Sequence, residues 1–202
     1  MQRDVILIFG QTGCGKTTLA SKIIAEYPRV FVADAGFRDY PGVRYTESYE
    51  ELLASMENAQ AFGTHRPFRL AYVFLPQEYP MTFATATAAK NCLLVLEEGD
   101  RFDVDATDGY IDYIFRGRHY GGSLLWVGLH PRACPTEVRR QATRIISFKQ
   151  IFPDDLDHLA EIIGDDAYKL PGLGGPPNSP PHEYLEWTSQ AGSKFIKPLT
   201  KP

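Results

Sequence analysis

The 202-residue chain has no long apolar run, no paired cysteines, no internal repeat and no overall excess of positive charge. No segment approaches the roughly 18 consecutive apolar residues that a membrane-spanning helix needs, and the first four residues lead directly into a short apolar strand. Neither a signal peptide nor an anchor is expected. The three cysteines, Cys14, Cys92 and Cys134, lie far apart without a CxxC pair, which gives no zinc framework and suits a reducing compartment. A net charge of −4 argues against a protein that coats nucleic acid over its whole surface. The hydrophobic share of 44% and charged share of 23% are ordinary for a globular protein, and a chain of this length buries a core as one domain.

The charge is unevenly spread. Between Arg116 and Lys149 stand seven basic residues (Arg116, Arg118, Arg132, Arg139, Arg140, Arg144 and Lys149) against one acid, Glu137, so this segment carries +6 and the remainder −10. The average charge of the chain conceals this basic segment.

Along the chain, short apolar runs alternate with helical spacings. Strands are expected at Asp4 to Phe9, Arg29 to Asp34, Phe68 to Leu75, Cys92 to Glu98, Ser123 to Leu129 and Ile145 to Phe148. Helices are expected at Lys16 to Tyr27, from Ser48 with a Ser-x-x-Glu start closed by Glu51, after Pro80, at Asp108 to Tyr120, Thr136 to Ala142 and Asp154 to Ile163. This alternation predicts an α/β fold, a mainly parallel sheet flanked by helices. Residues 1–169 are expected to form this domain. Residues 170–202 should begin with a Gly/Pro-rich loop, Leu170 to Pro181, and end as a local hairpin or an arm that packs on a neighbour.

The first expected strand runs into Gly10-Gln11-Thr12-Gly13-Cys14-Gly15-Lys16-Thr17, a complete GxxxxGK[ST] phosphate-binding loop, followed by Thr18. Its backbone N–H groups point inward, the following helix adds its positive end, Lys16 neutralises the β- and γ-phosphates, and Thr17 offers a hydroxyl to Mg²⁺. Cys14 is read as a small loop residue, and Thr18 stands where the α-phosphate would be contacted. ATP and Mg²⁺ are the expected cofactors. Hydrolysis also needs a carboxylate for the metal and a base for water. Leu93 to Glu98 supplies both at the end of a buried strand that faces the same rim as the phosphate loop. Glu97 is assigned to the metal, through water, and Glu98 to the attacking water, strand alternation sending the two in different directions; Asp100 competes for either role. The long interval between Lys16 and Glu97 leaves room for further strands. It favours the P-loop branch with an additional strand and a catalytic glutamate over small-molecule kinases and GTPases.

On the phosphate loop, Leu93 to Glu98, Arg118-His119-Tyr120-Gly121, Leu124 to Arg132, Val138 to Ala142 and Ile145 to Phe148, the chain resembles the FtsK and HerA superfamily of DNA-pumping ATPases. Within it the chain is most similar to the genome-packaging ATPases of tailless icosahedral viruses with an internal membrane. The resemblance implies an ATPase that moves double-stranded DNA into a preformed capsid. It also implies a homo-oligomeric ring, a hexamer or pentamer, docked to capsid or membrane vertex proteins in the host cytoplasm or at the packaging vertex. It implies an arginine that reaches the neighbour's phosphates, with Arg118 the first candidate, Arg116 the second, and Arg139, Arg140 and Arg144 behind them. Two positions depart from the family pattern. Glu97 stands where Asp is usual, and His130 stands where a Gln sensor is usual, which introduces pH sensitivity. Two other classes remain open at this point: a nucleotide or small-molecule kinase, which would need an acceptor pocket and a mobile lid, and a nucleotide-gated assembly or morphogenesis protein that binds ATP without turning it over.

Overall fold

The structure, a computed structural model, describes residues 3–34, 36, 39–59, 66–75, 78–101, 108–174 and 183–196. Nine strands form one sheet in the order β3-β4-β2-β5-β6-β1-β7-β8-β9. They are β1 (Val5–Phe9), β2 (Arg29–Asp34), β3 (Arg44–Thr46), β4 (Phe68–Val73), β5 (Leu93–Leu96), β6 (Ser123–Gly128), β7 (Arg144–Ser147), β8 (Tyr184–Thr188) and β9 (Gly192–Ile196). The first seven run parallel; β8 and β9 form an antiparallel hairpin that extends the sheet from β7. The helices are α1 (Lys16–Ala25), α2 (Tyr49–Asn58), α3 (Tyr79–Ala89), α4 (Asp108–Arg116), α5 (Thr136–Arg140) and α6 (Pro153–Ile163). No described helix is long and apolar enough to cross a membrane.

Why the strands read as unbroken apolar runs is visible in the two cores. Side chains of a strand alternate between faces, and both faces here are covered. Val5, Leu7 and Phe9 of β1, Leu94 and Leu96 of β5, and Leu124 and Trp126 of β6 enter one cluster, roofed by α2 to α6. Ile6, Ile8, Leu93, Val95, Leu125 and Val127 enter the other, roofed by Ala20, Ile23 and Ile24 of α1 and by Tyr40. Each large aliphatic side chain buried in this way contributes about 1.5–3 kcal/mol against the entropy of ordering the chain.

β6 lies between β5 and β1, so the strand that carries the acids is one strand removed from the strand that carries the phosphate loop. The additional-strand arrangement is therefore present. At the start of α2, Ser48 Oγ accepts from Glu51 N at 3.1 Å, while the Glu51 carboxylate accepts from Glu47 N at 2.9 Å, one residue earlier than in a reciprocal capping box.

Two local expectations are corrected, and one strand that none of them included is present. β3 escapes a reading by apolar periodicity because it is three residues long and only Thr46 is buried. The Asp108 to Tyr120 helix ends at Arg116 and continues as a 3-10 turn, Gly117–Tyr120. The segment from Leu170 is not all loop, since a 3-10 run spans Gly164–Gly172, and Ala167, Leu170 and Leu173 are buried in the main core. The packed unit thus extends past residue 169. Residues 175–182, the rest of that expected loop, lie outside the described residues.

Candidate functional site

The phosphate loop connects β1 to α1 and is held by sterics as well as hydrogen bonds. Gly13 and Gly15 have φ of 80° and 97°, a left-handed backbone that glycine adopts without cost. A side chain at Gly10 would place its Cβ 2.6 Å from Cys14 Sγ and 2.8 Å from Phe148 Cβ, so the loop start is pinned against the end of β7. Cys14 is buried below the loop, and burial pushes its thiol pKa up, which leaves it an inert spacer. Lys16 Nζ donates to Gly10 O at 2.8 Å and Gln11 O at 3.1 Å, closing the loop on itself.

A cleft of about 420 Å³ opens above this loop. Thr12, Gly13, Gly15, Lys16, Thr17 and Thr18 form its floor; Glu97, Glu98, Asp100 and Arg101 form one wall. Gly10, Gln11 and Cys14 belong to the loop but do not line the cleft. The cleft brings the anion-binding loop and both expected carboxylates together because parallel strands end on one rim.

The acids are positioned differently from the sequence expectation. β5 ends at Leu96, and Glu97 and Glu98 occupy the turn that follows. Glu98 has φ of 49°, so a left-handed turn, rather than strand alternation, sends the two carboxylates apart. Glu97 is buried and accepts a hydrogen bond from Tyr40 Oη. Burial raises its carboxyl pKa to about 7; the Tyr40 hydrogen bond opposes that shift, Asp34 adds to it, Lys16 opposes it and Glu98 adds to it. Glu98 is partly exposed and ion-paired to Arg101 at 3.1 Å.

Asp100, the expected competitor, has a different position. Its Oδ2 accepts from Leu129 N and His130 N, both at 2.9 Å, so it ties the turn after β5 to the end of β6. Gly99 and Gly128 make that approach possible: a Cβ on either would fall inside van der Waals contact, of the Trp126 indole at Gly99 and of the Asp100 carboxylate at Gly128.

His130 follows β6 at the same rim but does not line the cleft, which Gly128 and Leu129 do. Its Nδ1 lies 2.8 Å from Asp155 Oδ2. The tautomer with its hydrogen on Nδ1 lets the imidazole donate to this carboxylate. Asp155 is fully buried in the first turn of α6 and also accepts from Arg132 N at 3.3 Å. Arg116 and Arg118 lie at the opposite end of β6, on the rim away from the phosphate loop, and cannot reach the cleft of their own chain. Arg139 is buried with its guanidinium on the carbonyls of Pro131 and Cys134, and Arg144 is ion-paired to Glu186 at 2.6 Å. Both are tied into their own chain.

Sequence reasoning missed Asp39, Tyr40, Arg101 and Asp155. Asp39 and Tyr40 come from the loop after β2, where a strand ending in Asp34 was the available signal; nothing local marks Asp155, since its partner is 25 residues away. Among the described residues no group of three or more His, Cys, Asp or Glu forms a protein-only metal cage. The donor set suits a cation shared with phosphate, one hydroxyl at Thr17 and one buried carboxylate at Glu97.

No family model and no curated protein sequence matches the chain. Solved structures do. The genome packaging NTPase B204 from Sulfolobus turreted icosahedral virus 2, in complex with AMPPCP, is similar with a TM-score of 0.75 and 15% identity, covering 98% of this chain and 99% of that one. B204, the DNA-packaging ATPase from Sulfolobus Turreted Icosahedral Virus, has a TM-score of 0.68 at 15% identity over 99% of this chain and 100% of that one. The pCW3 conjugation coupling protein TcpA has a TM-score of 0.59 at 10% identity, covering 96% of this chain and 60% of that one. The chain therefore has a P-loop ATPase fold of the kind seen in these viral packaging NTPases, as its resemblance to the FtsK and HerA superfamily implies.

Proposed function

We propose that this chain is an ATP-hydrolysing motor that moves double-stranded DNA and packages a viral genome into a preformed capsid. The observation that carries the reading is one cleft in which the phosphate loop, Lys16 and Thr17 face Glu97 and Glu98 across the rim of β1, β6 and β5. A nucleotide-binding protein without turnover needs the floor of this cleft but not the second acid on its wall. The match to packaging NTPases along the whole length of both chains supports the choice of DNA as cargo.

In this reading the loop amides and the N-terminal end of α1 hold the triphosphate, and Lys16 leaves the carbonyls of Gly10 and Gln11 for the β- and γ-phosphates. Thr17 and Glu97 are the residues that would hold Mg²⁺, which would neutralise charge on the transferred phosphoryl group. Glu98 orients and deprotonates the attacking water once released from Arg101. His130, with its tautomer set by Asp155, links the phosphate end of the cleft to α6.

Besides Lys16, the one cation lining the cleft among the described residues is Arg101, and it is engaged by Glu98. Arg118 could assist only from a neighbouring subunit, as it would in a ring. Hydrolysis measured as free phosphate, with and without duplex DNA over a range of protein concentrations, tests the reading. Stimulation by duplex and a rise in specific activity with concentration are expected. A phosphorylated acceptor in place of free phosphate, or tight ATP binding with no turnover in the presence of DNA, would overturn it.

A further inference from the structure

The rim of the sheet opposite the phosphate loop gathers cations that do not line the nucleotide cleft of their own chain. β5, β6, β1 and β7 are parallel and start level: Leu93 pairs with Ser123, Leu124 with Val5, and Ile6 with Arg144. What precedes each strand therefore lies on the same rim. Lys90 precedes β5, Arg116 and Arg118 precede β6, Arg3 precedes β1 and Arg140 precedes β7.

Hydrogen bonds tie these segments together. Asn91 N donates to Tyr120 O at 2.7 Å, joining the Lys90 turn to the Arg118 turn. The Arg3 guanidinium donates to Tyr113 O at 3.0 Å, near the end of α4, and to Gln141 Oε1 at 3.1 Å, next to Arg140. Arg3 is thus flanked by Arg116 and Arg118 on one side and by Arg140 on the other. Burial, and to a smaller extent the charge of Arg118, hold the Arg3 pKa below the usual guanidinium value. Lys90, Arg116, Arg118 and Arg140 are exposed. Of the acids nearby, Asp112 is paired to Arg116 at 3.0 Å and Asp4 accepts from Tyr27 Oη at 2.5 Å. An exposed cluster of like charge adds self-repulsion to the folded state and does nothing for the core.

We infer that this rim grips the phosphate backbone of duplex DNA, with Lys90, Arg116, Arg118 and Arg140 as its contacts and the guanidinium of Arg3 bracing the segments that carry them. The inference rests on the reading of the chain as a DNA motor and adds to it the face that meets the cargo. Size favours a polymer over a single nucleotide. The four strand starts span about 14 Å at a strand spacing of about 4.8 Å, and a duplex presents roughly eight charges over that length, at one per ~1.7 Å of axis. The arrangement also separates cargo from fuel, since the acids of the cleft occupy the other end of the same strands.

The test is duplex binding by fluorescence anisotropy across a salt series. For wild-type protein log K should fall with log salt with a slope of about −4, the value for four to five neutralised phosphates. Lys90→Glu and Arg140→Gln should each make that slope shallower by about one and weaken binding equally for unrelated sequences. Lys149→Gln, at the exposed residue after β7 on the nucleotide rim, should leave the slope unchanged. Lys90→Glu should also retain nucleotide affinity, DNA-free hydrolysis and the wild-type melting temperature. A Lys90→Glu, Arg140→Gln double variant that binds duplex with the wild-type slope overturns the assignment of this rim and leaves the motor reading standing. Loss of self-association with an unchanged slope also overturns it, giving the rim to the neighbouring subunit. Wild-type protein that binds no duplex even at low salt overturns both.

Discussion

The phenol of Tyr40, from the loop after β2, donates a hydrogen bond to the buried carboxylate of Glu97, from the turn after β5. Two segments 57 residues apart thus fix one side chain of the nucleotide cleft. Tyr40 is itself buried, and its backbone N–H donates to Tyr45 Oη at 3.3 Å, so the loop is anchored as well.

Replacing Tyr40 with Phe keeps the packing and removes this bond. The expected cost in stability is about 1 kcal/mol, read by denaturant unfolding. Glu97 loses its fixed orientation, so the Mg²⁺ concentration needed for half-maximal hydrolysis should rise severalfold, while affinity for ATP in the presence of a chelator stays as it was. An unchanged Mg²⁺ requirement would show that the bond serves packing alone.

Glu97 makes stability depend on pH. Its carboxyl pKa is raised to about 7 in the folded chain, so between the ordinary carboxyl range and pH 7 the native state binds more protons than the unfolded state. Stability should therefore fall as pH rises through that window, by on the order of 2–3 kcal/mol at this group. Glu97→Gln should flatten the dependence in melting experiments without nucleotide. In wild-type protein, Mg²⁺ should bind more tightly as pH rises through 7, since the metal takes the ionised carboxylate.

Glu98→Gln is isosteric and removes the carboxylate proposed as the base. Turnover should drop 10²- to 10⁴-fold with ATP affinity within about twofold of wild type. Arg101→Ala, which frees the Glu98 carboxylate from its ion pair, should not reproduce that loss; single-turnover phosphate release compares the two.

Asp155→Ala removes the buried partner of His130 and of Arg132 N. A charge-assisted bond of this kind is worth about 1.5–3 kcal/mol, so the midpoint of chemical unfolding should fall accordingly. If His130 serves the cleft through that bond, Asp155→Ala and His130→Ala should lower hydrolysis by similar factors, and the double variant should be no worse than either. Additive losses would separate the two residues.

Gly99→Ala should be the most damaging small change at the rim. Its Cβ would enter the space of the fully buried Trp126 indole, so the turn that carries Glu97 and Glu98 must shift. Overpacking of this sort costs about 1–3 kcal/mol, and hydrolysis should fall with stability rather than independently of it.

Much of this was local information. GxxxxGK[ST] after an apolar run specifies a strand, a phosphate loop and a helix, because left-handed glycines and a helix N-terminus build the anion site from adjacent residues. Strand β2 was legible to the residue, since buried parallel strands need continuous apolar runs. Glu97 and Glu98 were legible as a pair because strand ends share a rim. Their separate orientations were not, because a left-handed φ at a non-glycine residue leaves no mark in composition. The same holds for β3 and for the 3-10 run to Gly172, where polar or Gly/Pro-rich composition conceals residues that tertiary contacts bury.

By itself, then, the sequence determined the α/β class, the phosphate loop and the presence of two acids at a strand end, all consequences of short-range periodicity and backbone chemistry. Tertiary structure alone decided that Tyr40 clasps Glu97, that Asp100 and Asp155 bind the segment at the end of β6, and that Arg118 lies on the rim away from the cleft of its own chain. Those relations arise from the strand order, which brings distant segments side by side, and no local pattern of residues encodes which strand will lie next to which.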